Sequence, residues 1–442
     1  MRHGYGAARS CRNWTQAGKV MDIRSLQPFE ICSIRPPTEN NSLTFRLTRN
    51  CAWNRCMFCP VYKMGARFSR RAIEEVREDV RRAAALDRFL AAEGVTTAGS
   101  FDEAYRKARA LLFAAGAGSS TAEEPRADAA DDEDERMRWF SSWFKDKPDL
   151  EDSVLHLLSW RFSGAGSCFL GDANSLLLPA SFLTEAMLSI REAFPELDRF
   201  TIYGRTRSAA RKKAGELAAF AAAGLHRVHF GIESGSDRVL AFMQKGEAAE
   251  DHLEACRKTR EAGLSPSVYV MPGLGGAAWS DEHAHATARV LSLARPDFVR
   301  LRTLEIFPRT GLSEAAQRGD FIESTEEQVA AEIRTIVAET DGETTIMSDS
   351  ASNLLSVNGR LPDDRKAMLS RIDDYLSLAP REKLTFSLSS RLQSFMGQYG
   401  GATPDIMSAL SPYLTDEGID TKRFPEREME RTIRLIRSKL MP

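Results

Sequence analysis

The chain has 442 residues, 43% of them apolar, enough for one large domain with smaller additions around a substantial core. A net charge of -2 gives no global pull toward nucleic acid or an anionic membrane. No run approaches the roughly 18 to 20 consecutive apolar residues of a bilayer-spanning helix, and no signal-peptide core opens the chain, so a cytoplasmic protein without membrane contact is expected.

The first twenty residues carry Arg2, Arg9, Arg12 and Lys19 but no acid and no amphipathic period. They read as a flexible start, or as an extension upstream of a true start at Met21. After a lead-in marked by Pro36 and Pro37, Leu43, Phe45 and Leu47 alternate with polar residues as a strand does. Cys51, Cys56 and Cys59 follow directly. A helix is expected from about Ser69, with Ser69 as N-cap and Ile73, Val76 and Val80 on one face. Between about 116 and 135 the chain turns small and acidic, with eight Asp or Glu from Glu123 to Glu135 against one Arg, the composition of a solvated, flexible insertion. Trp139, Phe140, Trp143 and Phe144 then recur at helical spacing, as a face packed on the main domain would.

From residue 165 short apolar runs alternate with helical stretches, the pattern of successive βα units. The runs are 167–170, 200–203, 227–232, 267–271 and 298–306, with Thr184, Ser208 and Ser236 as N-caps and Gly224, Gly246 and Gly263 as C-terminal glycines of the helices between them. Counting the strand before the cysteines, six units are expected, two short of the eight-stranded barrel; a partial α/β barrel fits. Beyond about Gly311 the pattern becomes helical, ending in a stretch where Ile433, Ile436 and Leu440 share a packing face. The division read from the chain is a lead-in over 1–39, a core over 40–312 and a mainly helical region over 313–442.

Seven cysteines, three of them within nine residues and Cys11, Cys32, Cys168 and Cys256 scattered, suit a metal centre in a reducing compartment rather than a disulfide framework. A fully protein-bound [4Fe-4S] cube takes four thiolates. Three leave one iron open to a small molecule. Zinc is the alternative, closed by a distant His or Cys. On the trio alone the two stand level; with His156 the closest downstream histidine, the balance moves toward iron.

The strand Leu43 to Asn50 and the loop after it resemble the radical S-adenosylmethionine (SAM) superfamily, whose usual CxxxCxxC spacing is here CxxxxCxxC, with Ala52 to Arg55 in the first gap. The resemblance implies a (βα)6 TIM-like barrel with a helical C-terminal extension, a [4Fe-4S] cluster on Cys51, Cys56 and Cys59, and S-adenosyl-L-methionine as second cofactor. Phe58 matches the aromatic residue that packs near the SAM adenine. Gly224 through Asp237 is similar to the fourth βα unit of Elongator-type and methylthiotransferase-like members, which implies that Glu233 meets the SAM ribose with Ser234 beside it. Gly171 and Asp172 stand where a glycine and acid motif accepts from the SAM amino group, though they depart from its common GGE form, and Gly273 and Gly275 stand where SAM lies along a glycine segment. Each glycine alone serves a turn equally well. Their recurrence at the ends of successive strands is where ligands of parallel α/β folds gather.

His229 reads as structural, and His283 and His285, two apart on a helix, make a poor metal pair. Tyr203 and Arg205 line the pocket without assigned chemistry, and no catalytic side chain is identified. The resemblance implies reductive SAM cleavage to a 5'-deoxyadenosyl radical, a one-electron reductant such as flavodoxin or ferredoxin, and a small-molecule, peptide or RNA substrate. Readings of another class are a zinc-stabilised nucleic-acid or protein-binding module and an iron-sulfur electron carrier.

Overall fold

Strand β1 (Leu43–Arg46) begins a sheet that runs β1, β4 (Ser167–Gly171), β5 (Arg199–Gly204), β6 (Leu225–Glu233), β7 (Ser265–Val270), β8 (Phe298–Leu301), β9 (Thr344–Met347), β10 (Gly359–Leu361) in the computed structural model. It describes residues 23–32, 34–63, 67–114, 149–398, 404–416 and 418–440. The arginine-bearing start, the acidic segment 116–135 and the aromatic group 139–144 lie outside these. All neighbouring strands pair in parallel except β9 with β10. Strands β1 and β10 are its two edges, so the barrel is open.

The six expected strands are present, and the sheet continues beyond residue 312, the expected end of the core. Strand β9 hydrogen-bonds to β8 and carries β10. Each is four residues or fewer, too short to alternate twice, and a helical stretch (Glu326–Glu339) precedes them. Helix starts also differ in detail. Ser69 lies in β3 (Ser69–Arg70), and the helix begins at Ile73 after Ala72. Thr184 and Ser208 fall inside helices, whereas Ser236 caps Asp237–Phe242 by accepting from Val239 N–H at 3.3 Å. Gly224, Gly246 and Gly263 all take positive φ. The last helix, Glu426–Ser438, buries Met429, Ile433 and Ile436 against Leu388, Ile406 and Tyr413, a packing element as expected.

One face of each strand feeds the main core. Leu43 and Phe45, Cys168 and Leu170, Phe200 and Ile202, Val228, Phe230 and Ile232, Val268 and Val270, and Val299 and Leu301 join the apolar cluster beneath the helices. Because strand side chains alternate, the residues between them face the concave side.

Candidate active site

Parallel strands covered on both faces ordinarily read as continuous apolar runs. Here the concave face carries Thr201, Tyr203, His229, Glu233, Ser267, Tyr269, Arg300 and, just past β8, Arg302. Rings cross from strand to strand, Phe169 to Tyr203 at 5.1 Å, Tyr203 to His229 at 6.0 Å and His229 to Tyr269 at 6.5 Å. His229 Nδ1 meets Ser267 Oγ at 3.1 Å, and burial holds its pKa down to about 4, so it is a neutral structural histidine. Gly231, Tyr203, Glu233 and Arg302 are half-buried, so solvent reaches the C-terminal mouth of this polar interior.

The cysteine loop hangs at that mouth. Its neck is the two-stranded ladder of β2 (Thr48–Arg49) with β3. Asn50 and Asn54 take left-handed conformations, φ 68° and 42°, which Asn tolerates better than most residues. Both side-chain amides donate to Tyr62 C=O, at 3.2 and 2.6 Å, folding the loop across its middle. Two other segments clamp it. Met57 N–H donates to Met243 C=O and Leu312 N–H to Met57 C=O, each at 3.0 Å, and Trp53 Nε1 donates to Gln244 C=O at 2.8 Å. The Trp53 ring lies over Gly246, where any Cβ would strike it, and under the Arg205 guanidinium at 4.7 Å. Phe58 packs with Val239, Met243, Leu274, Leu304 and Leu312.

The three thiols are close enough to interact. Burial, then the Cys56 charge, pushes Cys59 up to about 12; burial also raises Cys56, opposed by Lys245 and Arg205. Among the described residues no three His, Cys, Asp or Glu side chains are gathered as around a single ion. Among the described residues three buried histidines are engaged elsewhere: His156 accepts from Thr44 N–H at 2.9 Å, His252 meets Thr206 Oγ1 and His283 meets Ser234 Oγ, each at 2.8 Å. A donor set of three thiols beside two cations fits an anionic iron-sulfur cluster.

Glu233 ends β6 at φ 64°, with Lys245 Nζ 3.4 Å from its Oε1. Burial raises its pKa against the pull of Lys245. Lys245 also lies 3.6 Å from Glu247, and the two carboxylates together outweigh burial and keep it charged. The neighbouring predicted residues are engaged with protein. Ser234 Oγ meets His283. Asp172 accepts from Arg46 Nε and Asn50 N–H, each at 3.0 Å, and from Cys32 Sγ at 3.4 Å. A Cβ on Gly171 would run into Cys32, and one on Gly275 would press on Trp279 C=O. Gly273 N–H donates to Glu332 Oε2 at 2.5 Å. Lys245, with Gly246, was part of the resemblance read from sequence, whereas Arg46 and Arg302 were not singled out; for Arg302 the available signal was a charge alternating with Val299 and Leu301 at the end of a strand.

Glu332, whose other oxygen accepts from Ser280 Oγ at 2.6 Å, is pushed up to about 7 by burial, from 4.5. Below the unfolded value both states hold the proton and the group is neutral to stability. As pH rises through 4.5 the unfolded chain ionises first, so a penalty grows until about pH 7 and then stays constant. Glu332→Gln keeps both partners and removes the penalty. Its advantage over wild type in unfolding free energy should be small at pH 5 and reach about 2–3 kcal/mol at pH 8; an equal advantage at both pH values would contradict a buried Glu332 whose pKa is raised.

Residues 134–288 match the family model of the Radical SAM superfamily. That span begins beyond the cysteine loop. The tRNA uridine(34) acetyltransferases of Methanocaldococcus infernus and Methanocaldococcus jannaschii are 27% and 26% identical over 106 residues, 24% of this chain and 20% of each relative. The match thus spans about a fifth of those relatives' length. Among solved structures, Elp3 of Methanocaldococcus infernus lacking its N-terminus is 17% identical at a TM-score of 0.36, covering 47% of this chain and 54% of that one. Methylornithine synthase (PylB) is 13% identical at 0.38, covering 75% and 70%. Over residues 134–288 the chain is thus similar to the radical SAM superfamily, whose members are enzymes that work with a [4Fe-4S] cluster and S-adenosylmethionine and need a reductant and a substrate.

Proposed function

We propose that Cys51, Cys56 and Cys59 hold the [4Fe-4S] cluster and that SAM is cleaved reductively beside them, at the mouth of the polar interior. The observation that carries this reading is the loop: three thiols on one segment, tied at its neck and clamped on two sides. When bound, the cluster supplies one electron and SAM the 5'-deoxyadenosyl radical, chemistry that belongs to the cofactors.

The chain's part is position and charge. Lys245 and Arg205 set positive charge beside Cys56. Glu233, held at the mouth by Lys245, accepts from the ribose hydroxyls of SAM, with Phe58, Gly273 and Gly275 shaping the wall around it. Asp172 and Ser234 act as positioning residues, Asp172 on the loop through Asn50 N–H and Ser234 on the β6 turn through His283. A one-electron donor such as flavodoxin or ferredoxin serves the loop from its solvent side. The free cysteines among the described residues suit the cytoplasm.

Anaerobic purification with iron, sulfide and zinc analysis, followed by dithionite-driven assay for 5'-deoxyadenosine, tests this. Zinc without SAM binding would favour a closed structural site, and redox cycling without SAM cleavage an electron carrier. Glu233→Gln should keep full iron and sulfide yet bind SAM roughly ten- to a hundredfold more weakly, the loss of a charge-assisted hydrogen bond.

A further inference from the structure

The ionisable groups of the mouth are almost all paired. Arg46 meets Asp172 at 3.0 Å, Lys245 meets Glu233 at 3.4 Å, Arg205 meets Glu247 at 3.5 Å, and Arg300 pairs with Asp349. Arg302 is the exception. Its backbone N–H donates to Val270 C=O at 3.0 Å, which holds it in line with the end of β7. Among the described residues its guanidinium has neither an ion pair nor a hydrogen bond, and its Nε is buried without a partner. It is near enough to Glu233, Tyr203 and Tyr269 to act on all three electrostatically. The Tyr269 hydroxyl, on the same concave face, is buried, with the Tyr203 hydroxyl as its side-chain neighbour.

A guanidinium left unsatisfied in a half-buried wall is costly to the folded chain unless something else satisfies it. A planar guanidinium with free N–H groups and a neighbouring hydroxyl donor match an oxyanion, which can accept from both at once.

The geometry points to an anion-binding subsite on the inner wall, formed by Arg302 and Tyr269 with Tyr203 at its edge, that holds a carboxylate or phosphate of the substrate. The substrate class is then a small anionic molecule seated inside the barrel. This rests on the radical SAM reading of the same mouth, and the SAM carboxylate is the other source of the same chemistry.

The test uses the full chain, anaerobically reconstituted, with inorganic phosphate and acetate as probes in equilibrium dialysis, with and without saturating SAM. Wild type should bind one of the two anions at about one per chain in both conditions. Arg302→Gln should weaken that binding at least tenfold, Arg302→Lys less, and Tyr269→Phe by a few fold, while SAM affinity stays within about twofold in all three. No anion binding by wild type, or wild-type binding by Arg302→Gln, overturns the subsite. Displacement of the anion by SAM, with SAM affinity lost in Arg302→Gln, assigns the guanidinium to the cofactor and overturns the substrate assignment. Should Arg302→Gln not fold, the Lys variant and the SAM competition in wild type decide alone. Absence of 5'-deoxyadenosine from wild type with anion binding intact would fault the parent reading and leave the subsite standing.

Discussion

Cys51→Ala, Cys56→Ala and Cys59→Ala, made singly, should each reduce reconstituted iron from about four per chain to near background, with loss of SAM cleavage. Three thiolates already leave one iron without a protein ligand; two would leave half the cube unsupported. The control has the opposite signature. Cys256 is fully buried in the main core, so Cys256→Ala should cost about 1 kcal/mol of stability through the lost packing and retain its iron. Iron and sulfide content measured beside melting temperature separates the two. Full iron in the three loop variants would remove the cluster from this loop.

The second large effect is expected at Asp172. Its carboxylate is 2% exposed and gathers Arg46, Asn50 N–H and Cys32. Asp172→Ala leaves the Arg46 guanidinium in a largely buried place without its partner, a loss of about 3–5 kcal/mol. It also removes the acceptor for the backbone amide immediately before Cys51, so iron incorporation should fall along with melting temperature. Asp172→Asn, which can still accept from Asn50, should retain more iron than the Ala variant. A direct contact of Asp172 with the SAM amino group predicts something else: normal melting, normal iron and only SAM affinity reduced. That pattern would assign Asp172 the cofactor role implied by resemblance.

The contrast at Asp172 shows what a linear chain conceals. The strands were legible because 200–203, 227–232 and 267–271 stand out as short apolar runs between helical stretches. Cys51, Cys56 and Cys59 were legible because a cluster needs thiols close in sequence. The partners of Asp172 lie 126 and 140 residues away, and no local pattern announces that Arg46 and Cys32 converge on it. Likewise the need for glycine at 246 comes from an indole nearly two hundred residues upstream. Strands β9 and β10 escaped notice for a simpler reason, since three or four residues cannot display a period. Arg302 carried a signal that went unused: an arginine directly after a strand, between two buried neighbours, Leu301 and Thr303.

The unclosed sheet has a mechanical consequence. With β1 and β10 unpaired to each other, the girth of the barrel is held by packing of helices and loops across the seam instead of by a ring of hydrogen bonds. Such a wall can widen or tighten without breaking any strand pair. Amides of β10, with one partner strand and three residues, should exchange with solvent fastest, and those of β5, β6 and β7, flanked on both sides, slowest. The strands that carry Glu233 and Tyr269, each paired on both sides, are the fixed part of that wall.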